Sequence, residues 1–283
     1  MSPVLRPFLV YGIGSAVLLA ALLFIAFVTG WPAVPDSCIN GGNCYCEYFR
    51  VEDVKSGARG IRQPANTWSN LYSLVTALIV AGVLSRDRAQ GGHANVMRSN
   101  SGTADAYVFA VLFLGLGSMW FHASISSAVA WMDNLSMYVY AGFLIFYTVD
   151  RILVQRGVSQ RTRNLVFWIC WPGNAVLLTI VGALGVDSVI LIGVMVAAYL
   201  ILEFFVAGWI GKRDVPARIL WIAGAVAMGL AVLFWVLSAD GGLLCDPHSS
   251  LQLHGLLWHT LAGVMAVLLF FYWRREAVQP EWR

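Results

Sequence analysis

The distribution of apolar residues along the chain predicts a protein that crosses a membrane many times. Long stretches with almost no charged side chain recur through the whole sequence, separated by short polar connections. A helix needs about 20 apolar residues to cross a hydrocarbon layer. A backbone surrounded by lipid must satisfy its hydrogen bonds internally, so each stretch is expected to be helical. We predict eight spans, at Pro7–Thr29, Asn66–Leu84, Ala104–Ser126, Ala130–Val149, Asn164–Val186, Ser188–Ile210, Ala217–Ser238 and Leu251–Trp273.

Composition supports this architecture and excludes several classes of protein. Of the 283 residues, 59% are hydrophobic and only 12% are charged, whereas a soluble domain carries about 25% charged residues. No part of the chain is left for a sizeable soluble domain. The net charge of +3 is small and its basic residues are spread over short loops, which argues against a nucleic-acid partner.

The basic residues lie on alternate connections and so predict the orientation. The connections after Ser126, Val186 and Ser238 hold no lysine or arginine. By the positive-inside rule, the connections after Leu84, Val149 and Ile210 and both termini are cytoplasmic, and the long loop Gly30–Ala65 is extracytoplasmic. The four basic residues of that loop are an exception, balanced by Asp36, Glu47, Glu52 and Asp53. The cytoplasmic set comprises Arg6, Arg86, Arg88, Arg98, Arg151, Arg156, Arg161, Arg163, Lys212, Arg213, Arg218, Arg274 and Arg275.

The first apolar segment, residues 1–30, has two interpretations. It is either an additional spanning helix or a cleaved signal peptide. Its apolar run is longer than the usual core of a signal peptide, and no clear small-residue cleavage site follows, which favours a retained helix.

The cysteines agree with the predicted orientation. Cys38, Cys44, Cys46 and Cys245 all fall on the extracytoplasmic side, and Cys170 lies within a span. An even number of cysteines in an oxidising compartment predicts two disulfides, with free thiols as the alternative.

Polar and ionisable side chains within the spans are candidates for function, because burying them in a membrane is costly. Most of them share one depth near the extracytoplasmic side, where three separate helices place them; His93 is the only histidine on the cytoplasmic side. Glu203 lies toward the opposite end of its span, and we expect it to be interfacial or paired with Lys212 or Arg213. The full set is Ser118, His122, Asp133, Glu203, His254 and His259.

Three histidines and a carboxylate at one depth suit catalytic zinc, which takes three protein ligands and a water. Zinc lowers the pKa of its water to about 7, a carboxylate can accept and return the proton, and a hydroxyl can stabilise an oxyanion. For each residue alone the alternative is a structural role at a helix end. Their shared depth favours a catalytic zinc site.

Several motifs in consistent order resemble those of the alkaline ceramidase family. Ser118-x-x-x-His122 followed by Asp133 is similar to the family's Ser-x-x-x-His…Asp core. Cys46-Glu47 and the segment 64–70, PANTWSN, resemble its Cys-Glu and Asn-Thr-x-Ser-Asn motifs. Cys245-Asp-Pro with His254 and His259 resembles its closing histidine motif. The likeness runs from Cys46 to Trp273.

The resemblance implies seven helices around a zinc site that hydrolyses ceramide to a sphingoid base and a fatty acid. By position, His122, His254 and His259 would bind zinc, Asp133 would act on the water, and Ser118 would assist at the metal or the oxyanion. Cys46 would pair with Cys245, leaving Cys38 with Cys44. The chain would divide into an additional N-terminal helix (1–30), an extracytoplasmic loop (31–65) and a seven-helix domain (66–283).

Two features depart from the family pattern. Some members bind calcium near the Cys-Glu motif; Glu47 keeps one such ligand, but the other aligned positions are Cys44, Phe49 and Gln63. Calcium prefers six to eight oxygens, so the sequence does not favour it. The family spaces its last histidines as His-x-x-x-His, whereas His254 and His259 are five residues apart. A regular helix would set them about 140° apart, so we predict a π-bulge or unwound turn within His254–Trp258.

The wider superfamily leaves other functions open. A receptor-like or lipid-anchor-remodelling protein would bind a lipid without being a ceramidase. A transporter with a structural zinc site should show broken helices in paired halves, and the sequence has no such symmetry. We therefore predict a lipid amide hydrolase whose substrate enters from the membrane, with no obligate protein partner.

Overall fold

The protein folds as a bundle of long helices. A computed structural model describes residues 6–34, 45–48, 57–91, 95–209 and 215–275. Within these ranges there is no β-strand, and eight helical segments are long and apolar enough to cross a membrane. The predicted all-α membrane architecture is therefore confirmed.

The helices follow the predicted spans closely. The described helices are α1 (Arg6–Phe24), continued by a π-helical turn (Ile25–Thr29), α2 (Pro64–Ser69), α3 (Leu71–Gln90), a 3₁₀ turn (Val96–Arg98), α4 (Gly102–Ser124), α5 (Ser127–Gln155), α6 (Gln160–Ala183), α7 (Ser188–Trp209), α8 (Val215–Leu237), a π-helical turn (His254–His259) and α9 (Thr260–Arg274). Short α2 and long α3 together form one span, and the second π turn and α9 form another.

Helices α4 and α5 form the centre of the bundle. Most of α4 is buried, and it packs on α3 and α5. Toward the end of the bundle where α5 and α9 finish, an aromatic core joins these helices through Tyr107, Phe143, Tyr147, Phe270 and Trp273. The Tyr107 hydroxyl also donates to the carbonyl of Ala266 at 2.7 Å. The helices that carry the candidate site are therefore fixed to one another.

The structure gives Glu203 a partner that the sequence did not predict. Its side chain is fully buried between α5, α7 and α9, and its Oε2 lies 2.6 Å from Arg151 Nη1. Thr148 and Tyr272 also donate hydrogen bonds to this carboxylate. Arg151, which the loop charges had counted as a connection residue, lies inside α5. Because α7 packs on α5, the carboxylate faces an arginine 52 residues away in sequence. Lys212 and Arg213 lie outside the described residues.

This buried ion pair predicts a large effect on stability. Replacing Glu203 by leucine would leave Arg151 buried without its carboxylate partner, which typically costs about 3–5 kcal/mol. Thermal unfolding in detergent should therefore show a large decrease in melting temperature. The double variant Glu203→Leu with Arg151→Met should recover much of the loss, because neither charge remains. If the double variant were no more stable than Glu203→Leu, the pair would not be the cause.

Candidate metal centre

Three histidines from two parts of the chain meet at one end of the bundle. His122 lies in the last turn of α4, and His254 and His259 begin and end the second π turn. All three are almost completely buried. Their ring centroids are 5.1–5.9 Å apart, and one ligating atom of each lies within 4.8 Å of the others. The shared depth deduced from the sequence therefore corresponds to a shared location.

Gln63 fixes the tautomer of His122. The Gln63 Nε2 group donates to the carbonyls of Tyr45 and Glu47, at 3.2 and 2.9 Å. Its Oε1 must then face His122 Nδ1, which is 2.7 Å away. An amide oxygen only accepts hydrogen bonds, so His122 carries its proton on Nδ1. The lone pair is consequently on Nε2, a buried atom with no hydrogen-bond partner among the described residues.

Ser69 fixes the tautomer of His259 in the same way. The Ser69 hydroxyl donates its single proton to the carbonyl of Asn66 at 2.9 Å. It therefore accepts from His259 Nδ1, which lies 2.7 Å from it. This leaves the lone pair of His259 on Nε2. Within the described ranges, that atom and Nδ1 of His254 are also buried without a partner.

The π turn compensates for the unusual histidine spacing. Residues His254–His259 form a π-helix that leads directly into α9, so the predicted distortion is confirmed. A π-helix accommodates an extra residue within a turn, and the two rings consequently lie 5.1 Å apart. Gly255 permits this geometry, because a Cβ there would lie 2.6 Å from Ser69 Oγ and 3.1 Å from Asn66 Oδ1.

Replacing Gly255 by alanine should therefore weaken metal binding. The added methyl group would displace Ser69, and His259 would lose the group that orients its ring. Loss of such an orienting contact typically costs about 10–100-fold in metal affinity. Zinc affinity can be measured by competition with a chelator. Gly229→Ala in α8 is the matched control, since a Cβ there meets nothing within 4 Å. Equal zinc affinities for the two variants would contradict the prediction.

Asp133 and Ser118 lie beside the histidines. Both are buried, on α5 and α4 respectively, and the Ser118 hydroxyl is within hydrogen-bonding reach of the Asp133 carboxylate. The Tyr45 hydroxyl donates to Asp133 Oδ2 at 3.4 Å, while the Tyr45 ring packs on the rings of His122 and His254. A carboxylate, a hydroxyl and a phenol thus form one polar group, which Tyr45 joins to the histidine cluster.

The described part of the loop between α1 and α2 is held against this cluster. A disulfide joins Cys46 to Cys245, and Tyr45 forms an isolated β-bridge with Ala239. Both carboxylate oxygens of Glu47 accept backbone N–H groups, from Ala65 and Asn66, at 2.8 Å. Burial raises the pKa of Glu47, and these two donors oppose the shift. Glu47 therefore caps α2 in this structure. Cys38 and Cys44, the other predicted pair, lie outside the described residues, as does His93, whereas Cys170 is an exposed free thiol.

An apolar pocket lies next to the site, deeper in the bundle. Its lining includes Leu114, Met137 and Ala262. These residues lie about one helical turn from Ser118, Asp133 and His259 respectively, on the side away from the loop between α1 and α2. The opposite wall is formed by α7 and α8, with Ile192, Val196, Met228 and Val232. Helices α7 and α8 share few direct contacts, since α7 packs on α5 and α8 on α9.

The donor set is suitable for zinc. Three imidazoles with available nitrogen lone pairs, two of them oriented by second hydrogen bonds, form a typical three-ligand zinc site. Partnerless nitrogens in a buried position would otherwise be costly. These observations define the chain as a polytopic membrane protein with a buried histidine site capable of holding a metal ion.

Comparison with known proteins identifies the family. The ceramidase family model matches residues 60–280. The chain therefore belongs to the ceramidase family, whose members are hydrolases of the ceramide amide bond. Comparisons with curated proteins and with solved structures find no match.

The sequence did not indicate three of the residues that build this site. Ser69 belongs to the family-like segment 64–70, but that motif gave no role for it. Gln63 is notable in the sequence only as a departure from a calcium-binding pattern. Tyr45 precedes the Cys-Glu motif and had no signal of its own. Tyr45 and Gln63 lie in the connection before α2, and Ser69 is the last residue of α2. Hydropathy does not indicate the path of that connection.

Proposed function

We propose that the protein is a zinc-dependent ceramidase that hydrolyses the amide bond of ceramide to a sphingoid base and a fatty acid. The main support is the cluster of His122, His254 and His259, each of which has one buried ring nitrogen without a hydrogen-bond partner among the described residues. Bound there, zinc would act as a Lewis acid and lower the pKa of a water to about 7. Membership of the ceramidase family supports the substrate class.

The surrounding side chains suit the proton transfers of amide hydrolysis. The oxygen of water forms a bond to the amide carbon, and Asp133 accepts the proton that water loses. The carbon–nitrogen bond then breaks, and Asp133 returns the proton to the departing nitrogen. The Ser118 hydroxyl, which donates to Asp133 in this structure, would turn to the amide oxygen once Asp133 is protonated and negative charge develops on that oxygen. The phenol of Tyr45 holds the Asp133 carboxylate in place.

The pocket supports substrate entry from the membrane. Apolar side chains from α4, α5 and α9 line it immediately beside the site, and α7 and α8 are sparsely packed on its other side. We propose that ceramide enters between α7 and α8 and places an alkyl chain in this pocket. The positive-inside pattern would put the site on the extracytoplasmic side, with both termini in the cytoplasm.

A hydrolysis assay tests the proposal. The purified protein should release fatty acid and sphingoid base in equal amounts from labelled ceramide. A chelator should abolish release, and added zinc should restore it. Assaying other N-acyl lipids in parallel tests the substrate class. Binding of ceramide with no cleavage of any N-acyl lipid would instead support a receptor-like protein of the same superfamily.

A further inference from the structure

Helix α1 reaches the candidate site, although it lies outside the region that matches the family. The match begins at residue 60, whereas α1 and its π turn end at Thr29. Leu22, Ala26 and Trp31 form a small buried cluster with Met119 and Ala123 of α4. Met119 and Ala123 flank His122 in the last turns of α4. The end of the additional helix therefore packs on the part of α4 that carries a candidate zinc ligand.

Hydrogen bonds join this N-terminal segment, defined as Ala26–Ala33, to residues 57–60. Gly60 N–H donates to the carbonyl of Ala26 at 2.6 Å, and the Trp31 indole donates to the carbonyl of Gly60 at 2.7 Å. Trp31 also exchanges backbone hydrogen bonds with Gly57 and Ala58. The approach is so close that Gly30, at φ 78°, has no room for a Cβ, which would lie 2.2 Å from the carbonyl oxygen of Gly57.

Arg62 and Gln63 extend this connection to His122. The Arg62 guanidinium donates to the carbonyls of Ala33 and Ser124, at 3.2 and 2.6 Å. It thereby joins the N-terminal segment to the end of α4. Gln63 N–H donates to the carbonyl of His122 at 3.2 Å, and its side chain accepts from His122 Nδ1. A continuous series of hydrogen bonds thus runs from Ala26 and Trp31 to the ring of His122.

We propose that the N-terminal segment positions the metal site by holding Gln63, which in turn fixes the orientation and tautomer of His122. Gln63 is a positioning residue, and Trp31 acts through it. The role rests on the proposed zinc site. It gives the additional helix a function beyond membrane anchoring, because the site shared with the family is completed by a segment that precedes the matched region.

Trp31→Phe is the most informative variant, since it keeps an aromatic ring in the buried cluster and removes the indole N–H, although the side chain also becomes smaller. Loss of one hydrogen bond corresponds to about a 2–10-fold effect, so zinc affinity should fall by that factor. Gln63→Leu should reduce affinity by about 10–100-fold, and Gln63→Glu should restore part of it by supplying an acceptor. Trp131→Phe is the matched control, because its indole also donates to a backbone carbonyl but lies exposed on α5.

Two readouts separate a positioning role from a general loss of stability. The visible spectrum of the cobalt-substituted protein should change in Trp31→Phe and not in Trp131→Phe. In a double-mutant cycle, Trp31→Phe should have no further effect on zinc affinity once Gln63 is leucine. An unchanged affinity and spectrum in Trp31→Phe would overturn the proposal. So would an equal loss of affinity in the wild-type and Gln63→Leu backgrounds.

Hydrogen exchange in the metal-free protein tests the segment independently of zinc. The amide of Gln63 should exchange faster in Trp31→Phe than in the wild type, while amides in α8 should be unaffected. Unchanged exchange at Gln63 would overturn the proposal. Failure of the wild-type protein to bind zinc would instead contradict the proposed function, so the two failures are distinguishable.

Discussion

His122→Ala is expected to abolish both zinc binding and ceramide hydrolysis. The His122 ring is fully buried, and its Nε2 has no hydrogen-bond partner among the described residues. Gln63 holds the proton on the other nitrogen, so Nε2 is available to a metal. Removing one ligand of three leaves only His254 and His259, which is fewer than a catalytic zinc site uses. Wild-type protein should contain about one zinc per chain, and the variant close to none.

Metal analysis of the purified variant measures this directly, and ceramide turnover measures its consequence. His248→Ala is the matched control, because His248 lies exposed on the loop beside the same end of the bundle. It should keep both zinc and activity. If His122→Ala retained the wild-type zinc content, the histidine cluster would not be the metal site. Active wild-type protein without a transition metal would have the same consequence for the proposed mechanism.

The helical framework of this protein could be predicted from the sequence because each span carries its own signal. The stretch Ala217–Ser238 is apolar enough to be recognised as a membrane span from its hydropathy alone. The structure places α8 at Val215–Leu237. Helix ends were less accurate. Helix α5 extends from Ser127 to Gln155, beyond the predicted Ala130–Val149, because polar residues continue a helix that packs against protein.

The location of the candidate site was also predictable, through topology. Alternating spans put His122, Asp133 and His254 at the same end of the bundle whatever the packing order of the helices. The histidine spacing added local detail, because a regular helix cannot bring His254 and His259 to one face. The π turn at this position brings the two histidine rings close together.

Contacts between distant segments could not be predicted, because periodicity describes each helix separately. The pairing of Glu203 with Arg151 depends on α7 packing against α5, and sequence proximity suggested Lys212 or Arg213 instead. The role of Gln63 depends on the path of the loop between α1 and α2, which contains no apolar repeat. Sequence analysis therefore identified the candidate ligands and missed the residues that orient them.

Asp133→Asn is expected to retain the fold and zinc while losing most of the hydrolytic activity. Asparagine has the same shape as aspartate and can still accept hydrogen bonds from Ser118 and Tyr45, so the buried position should tolerate it. It cannot take a proton from water, and loss of a general base typically costs about 10²–10⁴-fold in rate. The effect should appear in kcat with little change in KM, because Asp133 acts on the reacting water. Asp187→Asn, at the exposed start of α7 near the same end of the bundle, is the control, since asparagine also caps helices. Near-normal turnover by a zinc-loaded Asp133→Asn protein would remove Asp133 from the mechanism and leave the histidine cluster without its proton acceptor.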